Sequence, residues 1–243
     1  MNKKHWFTYC TIWALALLIL SCSSPRVEGQ TPENSGMAEI STPEVKQLLL
    51  AGKIPVIDVR PEEEYKMSHI PGAIHIFETE IDRMIDVCKS NGGAVIYCNG
   101  PNCHKVERVQ ERMSQKEGCA DIRIFQDGMP VWRALGNTVE ITLTGFMRVF
   151  SLDKTAVLID ARSEEEFKAG SIPGAVSLKA EDIEAANEDG RLPYTDHGTR
   201  IIVFGSDANQ ARQLAEAIGL RAYWNSGYLS ATYDELQQEV LGR

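Results

Sequence analysis

Short, unbroken apolar runs recur along the chain at Val56–Val59, Ala94–Tyr97, Ile122–Phe125 and Ile201–Phe204. Runs of this length with no polar alternation fit strands buried on both faces. Between them lie polar stretches with apolar residues at helical spacing. Lys105 to Glu117 carries Val106, Val109 and Met113, and a later segment carries Ala211, Leu214, Ala215 and Ile218. Pro43 and Gly52 bracket a helix over 44–51, Glu62 to Met67 predicts a further helical turn, and Pro71-Gly72 reads as a turn. Short strands alternating with amphipathic helices predict an α/β fold, a mainly parallel sheet flanked by helices on both faces. In such sheets ligands sit at the carboxyl ends of strands, in the loops that lead into helices.

The pattern repeats. Leu158 to Leu178 reproduces Val56 to Ile76 at an offset of 102, with 11 of 21 positions identical and no gap. Asp58, Arg60 and Ile70-Pro71-Gly72-Ala73 return as Asp160, Arg162 and Ile172-Pro173-Gly174-Ala175. Self-similarity of this kind marks a tandem duplication, with units at 38–137 and 138–243.

The amino-terminal segment does not share this pattern. Lys3 and Lys4 precede an apolar run from Ile12 to Leu20, too short to span a bilayer comfortably, and the run ends in Ile19-Leu20-Ser21-Cys22. Residues 1–21 therefore read as an export signal, and their end resembles a bacterial lipobox. That resemblance implies lipidation of Cys22, and Ser23 after it agrees with outer-membrane sorting. Residues 22–37, rich in Ser, Pro, Gly and Glu, form a tether. The expected location is the cell envelope, lipid-anchored and facing the periplasm.

Charge and cysteine usage narrow the function. Among 243 residues, 25 are Lys or Arg and 34 Asp or Glu, a net charge of −9. Nucleic acid is not an expected partner, because such binding needs a basic face. Of six cysteines, none lies in the last 124 residues, which is not the distribution of a disulfide framework. Cys10 goes with the signal. Cys88 and Cys119 read as inert structural cysteines. Cys98 and Cys103 share one loop.

That loop is Cys98-Asn99-Gly100-Pro101-Asn102-Cys103-His104-Lys105, placed between the Ala94–Tyr97 strand and the following helix. Inward backbone N–H groups and a helix N-terminus stabilise an anion there, so Cys98 is a candidate thiolate nucleophile. The bland alternative is a small residue buried at a strand end. Cys103 reads equally well as a resolving thiol and as a packing residue. Lys105 is either a charge for substrate or an exposed residue of the first helical turn. A zinc site on Cys98, Cys103 and His104 would lack a second ligand pair, so no metal and no cofactor are expected.

Asp58-Val59-Arg60, His69-Ile70-Pro71-Gly72-Ala73, the Tyr97-Cys98 loop, Gly128 and Trp132 stand in the order and spacing of rhodanese-like domains, which both units resemble. The resemblance implies a sulfurtransferase fold in which Cys98 carries sulfane sulfur as a persulfide to a thiophilic acceptor, cyanide or a thiol. It implies that the backbone of residues 99–103 cradles the anion. Sulfurtransferases of the family usually have an arginine at the fifth position after the cysteine, and phosphatases and arsenate reductases of the same fold have one at the sixth. Here those positions are Cys103 and His104. A phosphatase would lack its bidentate clamp, and thiosulfate, a dianion, is weakened as a donor. Asp58 and Arg60 are expected to form the scaffold of the site, since the second unit keeps both while lacking any cysteine. His69, replaced by Ser171 in the repeat, is expected to be a surface histidine capping the turn. The second unit's loop, about two residues shorter, cannot carry a persulfide, and its expected work is packing and shaping of the cleft. A non-catalytic binding or redox-sensing module of the envelope is the alternative to an enzyme.

Overall fold

The structure, a computed structural model, describes residues 37–242 apart from Ala120. The expected signal and the tether up to Gly36, with Cys10 and with Cys22 as the expected lipidation position, lie outside the described residues. The first repeat runs β1 (Ala38–Glu39), α1 (Thr42–Ala51), β2 (Val56–Asp58), α2 (Glu62–Met67), β3 (Ile74–His75), α3 (Ile81–Asn91), β4 (Ala94–Tyr97), α4 (His104–Ser114), β5 (Ile122–Phe125) and α5 (Gly128–Ala134). The second runs β6 (Val139–Ile141), α6 (Leu143–Leu152), β7 (Val157–Asp160), α7 (Glu164–Ala169), β8 (Val176–Ser177), α8 (Ile183–Asp189), β9 (Ile201–Phe204), α9 (Ala208–Gly219), β10 (Ser226–Leu229) and α10 (Tyr233–Leu241).

Each repeat is a five-stranded parallel sheet. The strand orders are β1-β5-β4-β2-β3 and β6-β10-β9-β7-β8, the same order in both copies. The central strands are buried along their whole length, as the unbroken apolar runs require. Within β4 the side chains alternate between two cores. Val95 and Tyr97 face Val45, Phe125, Met129 and Trp132, whereas Ala94, Ile96 and the following Cys98 face Met84, Val106, Val109 and Met113. The period of two thus aims Cys98 at the face covered by α3 and α4.

Element ends differ modestly from the sequence reading. The first helix begins at Thr42, where the Glu44 carboxylate accepts the Ser41 N–H at 2.8 Å and completes its first turn. Helix α4 covers 104–114 rather than 105–117, because Met113 is its last buried residue and the polar stretch after it has no apolar face to pack. The shortest strands, β1, β3, β6 and β8, are too brief to show a period.

The repeats pack as parts of one unit. His69 and Glu140 exchange backbone hydrogen bonds, each 2.9 Å, in an antiparallel bridge between them. The Glu140 carboxylate accepts the Gly72 N–H at 3.1 Å and the Tyr228 hydroxyl at 2.9 Å, and lies 3.5 Å from His69 Nε2. Burial alone would raise the Glu140 pKa; these contacts outweigh it and hold the carboxyl below its ordinary range. Thr142 donates both its N–H and its hydroxyl to the Lys66 carbonyl at 3.1 Å. Val139, the first residue of β6, belongs to the first repeat's core. At Gly145, on α6, an added Cβ would lie 2.1 Å from the Lys66 carbonyl oxygen and 2.7 Å from its carbon. Both neighbours are backbone, so neither repeat can yield cheaply. Gly145→Ala is expected to lower stability by roughly 1–3 kcal/mol, the usual cost of overpacking, measured as a drop in thermal midpoint.

Candidate functional site

The site is assembled from the scaffold outward. Strand β2 ends in Asp58, and two residues later Arg60 folds back onto it. The guanidinium donates from Nε to Asp58 Oδ1 at 3.0 Å and from Nη2 to Oδ2 at 2.6 Å, and Nη2 also reaches the Ser68 carbonyl at 2.6 Å. Both side chains are buried. The Tyr97 hydroxyl donates to Asp58 Oδ2 at 2.6 Å and accepts the Ile70 N–H at 3.1 Å. Burial by itself lowers the Arg60 pKa, but its bonds to Asp58 outweigh that and raise it. Burial, reinforced by the Asp58 charge, lifts Tyr97 well above the usual phenol range. Arg60 is therefore a cation locked to its partner, with Nη1 turned to Asn99 Oδ1 at 3.4 Å and Glu64 at 3.8 Å.

The second repeat builds the same knot with one exchanged part. Arg162 holds Asp160 from Nε at 3.1 Å and from Nη2 at 2.7 Å, and reaches the Gly170 carbonyl at 2.8 Å. Phe204 stands where Tyr97 stands, so that hydroxyl is absent. Ser171, the counterpart of His69, supplies a hydroxyl to Asp160 Oδ2 at 2.6 Å instead. His69 is thereby released for the seam, and it is not the surface histidine expected: it is 1% exposed, stacks on Tyr65 with centroids 3.8 Å apart, and donates from Nδ1 to the Tyr65 carbonyl at 2.9 Å. It is buried because β6 of the other repeat covers it, a contact that no local pattern announces.

Cys98 leaves the end of β4 and is 1% exposed. Its carbonyl accepts the Met129 N–H at 3.1 Å, which ties the loop to the start of α5. Gly128 closes this contact. Its φ is +57°, and an added Cβ would lie 2.3 Å from the Cys98 carbonyl oxygen and 2.6 Å from the Gly100 nitrogen. Only glycine meets both demands. Asn99 is anchored through Nδ2 to Glu64 at 2.5 Å. Pro101 and Asn102 are exposed, and the Cys103 N–H is spent on the Gly100 carbonyl at 2.9 Å. His104 Nδ1 meets Glu107 at 3.0 Å on the surface. Lys105 is half-buried and has no ion-pair partner among the described residues.

Cys98 and Cys103 are joined as a disulfide, their Cα atoms 6.3 Å apart. Cys103 is thus paired with Cys98 rather than set apart from it in the loop. Cys88 and Cys119, expected to be inert, are also joined, with Cα atoms 5.8 Å apart. Their bond pins the last turn of α3 to the segment before β5, across 31 residues. Sequence separation hid this pair, since only the packing of α3 against the sheet brings Cys88 to Cys119. Among the described residues no group of three or more His, Cys, Asp or Glu side chains is arranged to hold a metal.

In the second repeat Asp160 pairs with Phe204 in register as Asp58 does with Tyr97, so Gly205 stands opposite Cys98. Helix α9 then begins at Ala208, leaving 205–207 where the first repeat has 98–103. The loop is shorter by three residues, one more than the sequence reading, because Asp207 caps α9 early by accepting the Gln210 N–H at 2.9 Å.

Two copies of one five-stranded parallel α/β domain stand in tandem, and the first has a buried cysteine at the carboxyl end of its central strand, heading a loop into a helix. The chain belongs to the rhodanese-like domain family, whose model matches residues 41–135 and again 151–239. Over 90 residues it is 34% identical to the HTH-type transcriptional regulator Rv0324 of Mycobacterium tuberculosis, covering 37% of this chain and 39% of that one. Over 106 residues it is 27% identical to the putative sulfur carrier protein YrkF of Bacillus subtilis, covering 43% and 56%. Over 96 residues it is 28% identical to the dual specificity phosphatase Cdc25 of Arabidopsis thaliana, covering 35% and 66%. The chain thus matches less than two thirds of each relative's length.

Removing Asp58 leaves Arg60 buried without its counterion. Asp58→Ala is expected to cost about 3–5 kcal/mol, read in denaturant unfolding, whereas neutralising the exposed Glu107 is expected to cost less than about 0.5 kcal/mol.

Proposed function

We propose that this protein is a sulfurtransferase of the cell envelope that carries sulfane sulfur as a Cys98 persulfide to a thiol, or to cyanide in an assay. The observation that carries the reading is the position of Cys98. It stands at the carboxyl end of a buried strand, ahead of the N-terminus of α4, in the one repeat that has a loop cysteine. The helix end and loop amides favour a thiolate there. Membership of the rhodanese-like family and similarity to a putative sulfur carrier support a role in sulfur transfer.

The donor follows from the charges around the loop. Arg60 is fully engaged with Asp58, Ser68, Asn99 and Glu64, so it cannot clamp a dianion. Glu64 adds negative charge beside Asn99, and Lys105, at the head of α4, has no ion-pair partner among the described residues. An organic persulfide, with a single charge on its reacting sulfur, suits this environment better than thiosulfate. The same lack of a guanidinium argues against phosphate-ester chemistry, despite the similarity to a phosphatase. Two disulfides agree with an oxidising compartment and hence with export, while anchoring through a lipid on Cys22 rests on the Ile19-Leu20-Ser21-Cys22 motif. The disulfide in the loop also favours a second reading, a thiol redox sensor without transfer chemistry.

The test separates the two. Reduced Cys103→Ser protein, incubated with polysulfide or glutathione persulfide, is expected to gain one sulfur atom on the Cys98 peptide by mass spectrometry. Wild type is expected to form thiocyanate from cyanide, and Cys98→Ser to form none. A Cys98 peptide that stays unmodified overturns the enzyme and leaves the sensor. Cys22→Ala is expected to shift the protein from the membrane to the soluble fraction.

A further inference from the structure

We infer that Cys103 is an internal acceptor for the sulfur on Cys98, so that the loop releases sulfide and closes into its own disulfide, which makes the protein a dithiol-dependent sulfane-sulfur reductase. The inference rests on the Cys98 persulfide reading and adds a second reaction to it.

Three observations converge on Cys103. The loop brings its sulfur into bonding contact with that of Cys98, at a Cα separation within the range that a disulfide bridges without backbone movement. Cys103 is also the N-cap residue of α4, an eleven-residue helix, and its side chain makes no capping bond. The second repeat places Asp207 there, and Asp207 caps α9 through its carboxylate. A cap oxygen ordinarily stabilises a helix end, so the first repeat forgoes that stabilisation and sets a sulfur in the positive field of a helix end instead. That field favours the thiolate. Third, Cys98 is 1% exposed while Cys103 is only partly buried. In this disulfide-closed loop an outside thiol meets Cys103 before Cys98.

The bonds and electrons balance as follows. A donor persulfide passes its outer sulfur to the Cys98 thiolate and leaves as a thiolate. The deprotonated Cys103 sulfur then attacks the inner sulfur of the Cys98 persulfide. The Cys98–Cys103 bond forms, the bond to the outer sulfur breaks, and the electron pair leaves with that sulfur as hydrosulfide, which takes up a proton according to pH. The outer sulfur is reduced and Cys103 is oxidised. An external dithiol, protein or small molecule, attacks the accessible Cys103 sulfur, expels the Cys98 thiolate, and is itself oxidised to a disulfide as the loop thiols are regenerated. Without that reductant the reaction stops after one turnover.

The test is a single turnover of full-length protein, reduced and freed of reductant, then given glutathione persulfide. Wild type is expected to release about one sulfide per chain above a Cys98→Ser control, and peptide mapping is expected to find Cys98 joined to Cys103 with no added sulfur. Cys103→Ser and Cys103→Ala are expected to hold the added sulfur on Cys98 and to release no sulfide above the control. A wild type that keeps its Cys98 adduct, with no sulfide and no loop disulfide, overturns the inference while the persulfide reading stands. Failure of the Cys103 variants to gain any adduct overturns both. Added dithiol is expected to convert the single burst into continuous sulfide release, and a rate unchanged by dithiol counts against the cycle.

Discussion

A carboxylate that cannot be solvated holds each repeat together. Asp58 has no water to turn to, and its charge is met by Arg60, the Tyr97 hydroxyl and the Arg60 backbone N–H. The pair joins the ends of two neighbouring strands, β2 and β4, and through Ser68 and Asn99 it reaches the α2 exit and the cysteine loop. Breaking one partner of such a knot leaves the other charged in a medium that penalises charge. This makes the pair a constraint on the whole loop, and one that does not need the cysteine. The second repeat shows the distinction directly. It keeps the knot, swaps a tyrosine hydroxyl for a serine hydroxyl from another position, and has no cysteine to serve.

The cysteine loop can vary because the knot does not. With six residues between β4 and α4, the first repeat has room to turn back so that its last residue meets its first. With three residues between β9 and α9, the second has no such room, and Asp207 caps the helix at once. The same framework thus yields a loop with paired sulfurs in one copy and a short turn from Gly205 to the capping Asp207 in the other. Gly128 and Met129 press on the first loop from α5, so the backbone around Cys98 is held from two sides.

The division of labour between repeats is also mechanical. Glu140, Thr142 and Gly145 of the second repeat engage His69, Gly72 and Lys66 of the first, all in the segment that follows the Arg60 knot. The second repeat braces the stretch of the first that follows its Arg60 knot.

Much of this was legible in the amino-acid sequence. Unbroken apolar runs determined the buried parallel strands, because a strand covered on both faces has no polar side to show. The 102-residue self-match determined the duplication, and the position of Cys98 directly after Ala94–Tyr97 determined that it heads the loop into α4. Asp58 and Arg60 were legible as scaffold because the copy without a cysteine retains them. What only the tertiary structure decided is what distant segments do to one another. His69 is buried because β6 arrives from the other repeat, Cys88 meets Cys119 because α3 packs back on the sheet, and Cys103 meets Cys98 because the loop's turn closes on itself. Local periodicity reports which face of an element is apolar, whereas these pairings depend on how elements far apart in the chain approach.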